Sequence, residues 1–401
     1  YKTEDGGNTW QHQFFESPVI SIGDIAIDPA DKNMLYAGTG EANSSSFSFL
    51  GNGIYKSTDG GDSWQSSGLA ETGYIGRIIV DHSNTQRIYT AALGSLFTPD
   101  PHRGVYRSEN GGDSWEQVLF LTDSTSAVDL VQHPENPNIL YAAMWERMRG
   151  LNYRRSGGES SGIYKTTDGG DTWVEMINGV PTHEYVGRIG LTISQSNPNV
   201  LYAFYDKQMQ TGDNYSYLGI FKTTNGGLTW QQTNDGNLYD MSASFGWYFG
   251  QVRVDPEDED LVFALGVDLV RSTNGGDSWQ QIAGYWNTEE IHVDHHAMVI
   301  DPNTGRIVEG NDGGLYISNN TGSDWDHINN IPMTQFYAIE IDEQNPHRIY
   351  GGTQDNNTIR TMDGAVDTWE RILGGDGFYC IVDPENSDII YAESQWGNLR
   401  K

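Results

Sequence analysis

The stretch YKSTDGGDSW at residues 55–64 recurs eight times along the chain, beginning with YKTEDGGNTW at 1–10 and ending with IRTMDGAVDTW at 359–369. The copies share a β-rich start, a polar turn and a tryptophan, and successive tryptophans are 44 to 58 residues apart. A repeat of this length is typical of a β-propeller, in which each repeat forms one four-stranded blade. The sequence therefore predicts an all-β fold built of such blades.

The polar turn of the repeat is suited to a tight hairpin. Asp59 can accept N–H groups within its own turn, and Gly60 and Gly61 permit the positive φ angles that such a turn needs. The tryptophan can bury a large ring between neighbouring units. The repeat is therefore predicted to join the third and fourth strands of each blade.

A second repeat alternates with the first and runs from IAIDPADKNMLYAG at 25–38 to CIVDPENSDIIYAE at 380–393. Its apolar strand, acidic turn and Tyr-Ala ending predict the first two strands of a blade. The two repeats together predict seven complete blades, at 19–66, 74–118, 126–177, 185–233, 246–283, 292–328 and 335–372.

The two ends of the chain carry partial blades, a third and fourth strand at 1–16 and a first and second strand at 374–401. If they complete one blade together, the ring is closed with eight blades, because an open end would expose unpaired strand edges. Rings of seven or ten blades are the alternatives. We expect a single β-propeller over 1–401 that is a segment of a longer secreted protein.

The turn motif resembles that of the Asp-box (BNR) repeat proteins, Ser/Thr-x-Asp-x-Gly-x-x-Trp, which STDGGDSW at 57–64 and TTDGGDTW at 166–173 match residue by residue. That group includes sialidases, two-propeller xyloglucanases and sortilin-type receptors. VDHHAMVIDP at 293–302, GNDGGLYIS at 310–318 and GGDGFY at 374–379 are similar to large secreted bacterial proteins of the sortilin-like or glycosyl-hydrolase-like kind. The resemblance implies a β-propeller in a secreted or cell-surface protein and leaves the activity open.

Composition narrows the class of partner. The net charge of −32 argues against nucleic acid and anionic membranes as partners. Solubility in a salty medium explains this charge, with Ca²⁺ binding by some carboxylates as the alternative. Cys380 is the only cysteine, so the prediction includes no disulfide, and no stretch approaches the ~20 apolar residues of a transmembrane segment.

Long loops on one face of the predicted propeller favour a binding site there. Strands alternate direction within a blade, so the short Asp-box turns lie on one face and the irregular loops on the other. Irregular loops on a rigid scaffold often carry binding residues, and we expect a polysaccharide or an extracellular protein as partner. These loops are 39–52, 93–103, 144–161, 205–217, 234–250 and 283–296.

A metal site is one hypothesis for this face. In an extended strand, His292, Asp294 and His296 point the same way and His295 points the other way. Two imidazoles and a carboxylate at this spacing could bind Zn²⁺ or another divalent metal. The alternative is a set of hydrogen-bonded side chains that line the channel mouth.

Further polar and aromatic side chains are predicted to bind a ligand, because they begin equivalent loops, stand where strands begin, or crowd the long-loop face. A local turn, an inter-blade hydrogen bond or loop packing is the alternative for each. These candidates are Glu41, Arg77, Glu146, Arg147, Arg188, Trp247, Tyr248, Gln354, Asp355, Glu393 and Gln395, and Tyr285 and Trp286 crowd the same face.

Three functions stay open at this point. The first is a secreted recognition propeller, and the second is a glycoside hydrolase that uses paired carboxylates. The turn at 311–316 is similar to an aspartate-bearing turn of the xyloglucanases, which makes Asp312 and Asp376 the catalytic candidates. The Arg-Ile-Pro motif of sialidases is absent, which disfavours that activity. The third is a structural module of a surface or secretion assembly, and continuation into a second propeller would favour a cleft enzyme.

Overall fold

The computed structural model describes residues 1–14, 17–284, 291–331 and 333–401. In these residues the strands form seven four-stranded antiparallel sheets, one three-stranded sheet and one two-stranded hairpin. Two single 3₁₀ turns, Ala70–Thr72 and Gln395–Gly397, are the helical elements of the described chain. The predicted all-β fold is confirmed, and no helix in these ranges is long and apolar enough to cross a membrane.

The first four sheets follow one another along the chain. Sheet 1 contains β1 (Ile22–Ile27), β2 (Leu35–Thr39), β3 (Ile54–Ser57) and β4 (Gln65–Ser66). Sheet 2 contains β5 (Ile75–Val80), β6 (Ile88–Ala92), β7 (Gly104–Ser108) and β8 (Glu116–Leu119). Sheet 3 contains β9 (Thr125–Gln132), β10 (Leu140–Glu146), β13 (Gly162–Thr166) and β14 (Val174–Met176), with the hairpin β11 (Met148–Arg149) and β12 (Arg154–Arg155) in its long loop. Sheet 4 contains β15 (Val186–Ile193), β16 (Leu201–Lys207), β17 (Tyr217–Thr223) and β18 (Gln231–Gln232).

The remaining sheets repeat this order, the last with three strands. Sheet 5 contains β19 (Gln251–Val254), β20 (Val262–Leu265), β21 (Leu269–Ser272) and β22 (Gln280–Ala283). Sheet 6 contains β23 (His295–Ile300), β24 (Ile307–Asn311), β25 (Gly314–Ser318) and β26 (Asp326–Ile328). Sheet 7 contains β27 (Phe336–Ile341), β28 (Ile349–Thr353), β29 (Thr358–Thr361) and β30 (Glu370–Leu373). Sheet 8 contains β31 (Cys380–Asp383), β32 (Asn386–Ser394) and β33 (Asn398–Arg400).

The Asp-box turn closes on itself through its own side chains. The Ser57 hydroxyl donates to Asp59 at 2.8 Å and accepts the Gly61 N–H at 2.9 Å, while Asp59 accepts the Ser63 N–H at 2.9 Å. Gly60 and Gly61 have φ angles of 76° and 94°, as the turn requires. Hydrogen bonds from Ser63, followed by one from Ser57, lower the pKa of Asp59 to about 2. The turn is therefore closed by hydrogen bonds among its own residues.

The tyrosine of the second repeat joins successive sheets. In sheets 1 to 3 its hydroxyl donates to a glycine carbonyl in the Asp-box turn of the following sheet. The distances are 3.3 Å for Tyr36 to Gly111, 2.8 Å for Tyr89 to Gly169 and 2.9 Å for Tyr141 to Gly226. The two sequence repeats thus interlock from one sheet to the next.

The amino-terminal hairpin (residues 1–14) lies between sheet 6 and sheet 1. The Trp10 indole donates to Asn330 at 3.0 Å, and the Asn330 amide donates back to the Gly7 carbonyl at 2.9 Å. On the other side, the Phe14 ring meets the Trp64 ring edge-on at 5.2 Å. The described strands at the two chain ends are not paired in one sheet, and the number of blades and the closure of the ring stay predictions.

Sheets 7 and 8 pack on each other, and among the described residues the other face of sheet 7 is exposed along β27. Ile339 and Ile341 of β27 are 63% and 50% exposed, whereas the equivalent Ile78 and Val80 of β5 are buried against sheet 1. On the covered side, Cys380 of β31 is buried in one apolar cluster with Tyr350 of sheet 7. The loop between β28 and β29 of sheet 7 contacts the loop between β24 and β25 of sheet 6, where Asn356 donates to the Asp312 carbonyl.

Candidate functional site

Three aspartates from three sheets meet on the long-loop face. Asp312 lies in the turn between β24 and β25, Asp355 lies between β28 and β29, and Asp376 precedes β31. The carboxyl group of Asp355 hydrogen-bonds those of Asp312 and Asp376. The Asp355 N–H also donates to Asp376 at 2.7 Å, and the Asn356 amide donates to the Asp312 carbonyl at 2.8 Å. The two predicted catalytic residues are therefore brought together, with Asp355 between them.

The surroundings of Asp355 favour its protonated form within this aspartate cluster (Asp312, Asp355 and Asp376). Burial, followed by the hydrogen bond and charge of Asp312 and then of Asp376, raises the pKa of Asp355 to about 8. Burial would also raise the pKa of Asp312, but the hydrogen bond and charge of His296 outweigh it and lower that pKa. Adjacent carboxylates cannot both ionise easily. At neutral pH, Asp355 is therefore a carboxylic acid and Asp312 a carboxylate.

The backbone around the cluster is held in conformations that non-glycine residues seldom adopt. Asp355, Asn357 and Asp294 have φ angles of 56°, 76° and 67°. Aspartate and asparagine tolerate this left-handed region better than most residues, but each still has a conformational cost. Packing around the site therefore fixes the turn that carries Asp355.

His296 connects the cluster to sheet 5. Its Nε2 lies 2.5 Å from an oxygen of Asp312, and its ring lies 5.2 Å from the Phe249 ring and 5.6 Å from the Tyr248 ring. Burial, followed by the charge of Asp312, raises the pKa of Asp294 to about 6. His296 thus orients Asp312, while Asp294 adds a second easily protonated carboxyl.

The predicted metal set is not formed. β23 begins only at His295, and the positive φ of Asp294 breaks the extended geometry on which the prediction rested. The His292 ring lies 2.9 Å from the Val293 carbonyl and His296 faces Asp312, while the buried His295 lies 2.7 Å from Glu309. In the described ranges, no three His, Cys, Asp or Glu side chains are grouped to hold a metal ion. His292, Asp294 and His296 are therefore not grouped as the predicted metal set in the described residues.

Glu41 and Tyr248 border the cluster from sheets 1 and 5. Glu41 accepts the Phe49 N–H at 3.1 Å, and burial raises its pKa, with His296 as an opposing charge. Burial, followed by the charges of Glu41, Asp312 and Asp355, raises the pKa of Tyr248. Tyr248 therefore presents a neutral hydroxyl among carboxyl groups from three loops.

The predicted arginines serve the scaffold. Arg147 is fully buried, so a role in ligand contact is wrong for it; it donates to the Asn43 carbonyl and, at 3.1 Å, to the Gly94 carbonyl. Arg188 donates to the Ala42 carbonyl at 2.7 Å. Arg77 binds Asp129 at 2.7 Å on the inner strands, away from the cluster. Long loops fold back over Arg147 and Arg188, which the sequence pattern did not reveal.

The other predicted ligand residues fall into two groups. Gln395 belongs to the site, because its amide donates to Asp376 at 3.0 Å. Glu146 is paired with Arg155 at 3.0 Å, and the half-buried Trp247 lies under the Arg154 guanidinium at 4.2 Å. The backbones of Gln354 and Glu393 each donate one hydrogen bond and accept another near the cluster. Tyr285 and Trp286 lie outside the described residues.

Tyr337 is a site residue that the sequence analysis missed. Its ring is stacked on Phe378 at 5.2 Å with an interplanar angle of 4°, and it is half exposed. Burial, followed by the charges of Asp376, Asp355 and Asp312, raises its pKa, which places its hydroxyl near all three carboxyl groups. The alternating stretch QFYAIE gave only a strand signal for this position.

Comparisons with known proteins support the fold and the resemblance. Residues 52–219 match the family model described as sortilin, neurotensin receptor 3. An ancestral GH74 enzyme has a solved structure similar to 93% of this chain and 58% of its own, with a TM-score of 0.52 and 17% identity. The extracellular domain of a one-component system protein from B. thetaiotaomicron matches 96% of this chain and 51% of its own, with a TM-score of 0.51 and 13% identity. The predicted sortilin-like and glycosyl-hydrolase-like β-propeller is confirmed.

Two curated relatives are xyloglucanases. The Paenibacillus sp protein is 24% identical over 290 residues, which cover 64% of this chain and 26% of the relative. The Acetivibrio thermocellus protein is 22% identical over 335 residues, which cover 68% of this chain and 36% of the relative. The chain thus spans about a quarter to a third of the length of these relatives.

Proposed function

We propose that the aspartate cluster is the proton-donating half of a glycoside hydrolase site that acts on a neutral polysaccharide of the xyloglucan kind. The observation that carries the proposal is the position of Asp355 between two other carboxyl groups, where the loops of sheets 6, 7 and 8 meet, and these groups together with burial raise its pKa to about 8. A carboxyl group that keeps its proton at neutral pH is suited to protonate a leaving glycosidic oxygen.

In the proposed site, the carboxyl groups have different roles. Glycosidases place two carboxyl groups about 5–9.5 Å apart, on opposite sides of the scissile bond. Asp312 and Asp355 are hydrogen-bonded to each other, so they lie on the same side of the scissile bond. Asp355 donates the proton, and the carboxylate of Asp312 keeps that proton on Asp355 before the reaction. Asp376 and Gln395 position the Asp355 turn. Glu41, on the separate loop that also borders Tyr248, is then the carboxylate of the opposite side.

The cellular setting belongs to the same proposal. A net charge of −32, the sortilin match and the xyloglucanase relatives support an extracytoplasmic protein that meets polysaccharides in the medium. The acidic surface favours neutral glycans over anionic ones, because like charges repel.

A second candidate function is glycan recognition without cleavage, and one observation favours it. The direct contact between Asp312 and Asp355 also suits a site that holds sugar hydroxyls by hydrogen bonds. The half-buried Trp247 and the exposed Tyr239 add aromatic surface to the same face.

Product analysis separates the two functions. The purified chain is incubated with xyloglucan and other neutral glucans, and reducing ends and released oligosaccharides are measured. We expect Asp355→Asn to reduce turnover by about 100-fold or more, and Glu41→Gln to do likewise. Asp326→Asn, an exposed carboxylate of the same sheet 6, is the matched control and retains activity. Binding without products would support recognition, and full turnover in Asp355→Asn would refute the assignment.

A further inference from the structure

The aromatic loop (residues 234–250) connects sheet 4 to the aspartate cluster. Its rings Tyr248 and Phe249 lie 5.6 Å and 5.2 Å from the His296 ring, which in turn meets the cluster. A backbone hydrogen bond of 3.2 Å also joins the aromatic loop to the loop at 39–52, which bears the opposite carboxylate of the proposed site. The position of the aromatic loop therefore affects both sides of that site.

The aromatic loop closes directly onto Asp206, near the end of β16. Asp206 is 1% exposed. A Cβ atom on Gly246 would overlap its carboxyl group, and a Cβ atom on Gly250 would lie 2.7 Å from its Oδ2. In the stretch FGWYFG (245–250), the two glycines that bracket the three aromatic residues thus let the backbone pack against the acid.

Ser216 connects Asp206 to the aromatic loop. Its hydroxyl lies 3.4 Å from an oxygen of Asp206 and accepts the Gly246 N–H at 2.8 Å. Its own N–H donates to the Ala243 carbonyl at 2.7 Å. Ala243 has a φ angle of 44°, which is unfavourable for a residue with a side chain. The closed loop is therefore a strained conformation that these contacts stabilise.

The surroundings of Asp206 favour a neutral carboxyl group. Among the described residues, its Oδ2 and the nearby buried hydroxyl of Ser242 both lack a hydrogen-bond partner, and a proton on Oδ2 would let the acid donate to that hydroxyl. Burial raises the pKa of Asp206 to about 7, although Ser242, Arg188 and Ser216 oppose this shift. Arg188 of β15 donates to two backbone carbonyls, and the phenol of Tyr217 faces Asp206 from β17.

We propose that Asp206 positions the aromatic loop and makes that position pH-dependent. The neutral carboxyl group holds the loop closed, and ionisation favours an open loop in which Tyr248 and Phe249 leave His296. An enclosed carboxylate lacks the hydration that it gains once the loop opens. Opening returns Asp206 to an ordinary acid, so it becomes more favourable as the pH rises from about 4 to about 7 and levels off above that.

Hydrogen exchange of the backbone amides measures this opening directly. Wild type is compared with Asp206→Asn and with Asp240→Asn, a control on an exposed aspartate of the same loop, from pH 5 to pH 8. After correction for the intrinsic pH dependence of exchange, the opening equilibrium of residues 242–250 should increase about 10- to 100-fold over this range in wild type and in the control. In Asp206→Asn it should stay constant.

Gly246→Ala tests the same contact without a change in charge. The added methyl group displaces the loop from Asp206, so we expect faster exchange at every pH and a smaller pH dependence than in wild type. An equal pH dependence in Gly246→Ala would overturn the proposal even if Asp206→Asn does not fold. Opening that is independent of pH in wild type, or that keeps its pH dependence in Asp206→Asn, would also overturn it. These readouts need no sugar, so they stand apart from the test of the proposed function.

Discussion

Asp355→Asn should stabilise the protein at alkaline pH while it removes function. The pKa of Asp355 is about 8, compared with an ordinary value of 3.8. The unfolded chain therefore loses this proton near pH 4, whereas the folded chain keeps it up to about pH 8. A group with a raised acid pKa favours folding at low pH, and its destabilising effect grows as the pH rises between the two values. Asparagine has the same shape and does not ionise, so it avoids this effect.

The magnitude follows from the shift. A difference of about four pKa units, at about 1.36 kcal/mol each, is about 5–6 kcal/mol for a fully enclosed group. Asp355 is only half-buried, and solvent screening reduces the gain to about 2 kcal/mol at pH 8. At pH 4 we expect only a small gain, because the folded side chain is protonated and about half of the unfolded chains still carry this proton.

The assay is urea unfolding of wild type, Asp355→Asn and the Asp326→Asn control at pH values from 4 to 8.5. The free energy of unfolding of Asp355→Asn should exceed that of wild type by an amount that increases steadily above pH 5. The Asp326→Asn control should have the same pH dependence as wild type throughout. Parallel curves for Asp355→Asn and wild type over the whole range would refute the shared proton, and with it the proton-donor role.

Three further predictions follow from the scaffold and the site. Asp59→Asn should leave stability within about 0.5 kcal/mol, because Asn110 accepts the same N–H of its own turn at 2.9 Å, whereas Asp59→Ala should lose about 1 kcal/mol by thermal unfolding. Arg147→Met should lower the free energy of unfolding by about 3 kcal/mol, because it leaves buried loop carbonyls without donors. Proteolysis of the long loops should become faster, and an unchanged rate would show that Arg147 does not hold these loops in place. EDTA should leave oligosaccharide binding unchanged, since His296 is committed to Asp312, and a loss of binding that Zn²⁺ or Ca²⁺ restores would revive the metal hypothesis.

The fold was predictable because its signals are local and repeated. Each Asp-box turn needs only its own residues, such as Ser57 and Asp59, and the tyrosines of the second repeat in sheets 1 to 3 meet the next sheet in the same way. Every copy of the motif therefore predicts the same hairpin, and the predicted strand pairs match the observed sheets.

The site was predictable only in part, because it depends on how sheets 6, 7 and 8 approach one another. Acidic turns marked Asp312, Asp355 and Asp376 in the sequence, but no repeat encodes their hydrogen-bonded contact. The metal hypothesis failed on one backbone angle, the positive φ of Asp294. The predicted ligand-binding role of Arg147 was wrong because loops that are distant in the sequence cover this side chain. Its hydrogen bond to Asn43, for example, joins residues that are 104 positions apart.

The contact between the amino-terminal hairpin and sheet 6 has a consequence for biosynthesis. Trp10 and its partner Asn330 are 320 residues apart. A ribosome that adds about 5–20 residues per second needs roughly 16–60 s to produce that interval. During this time the hairpin at 1–14 has already been made, but the part of sheet 6 that it contacts does not yet exist. This hairpin therefore reaches its partner in sheet 6 only after that interval, and its aromatic residues must be shielded from aggregation until then.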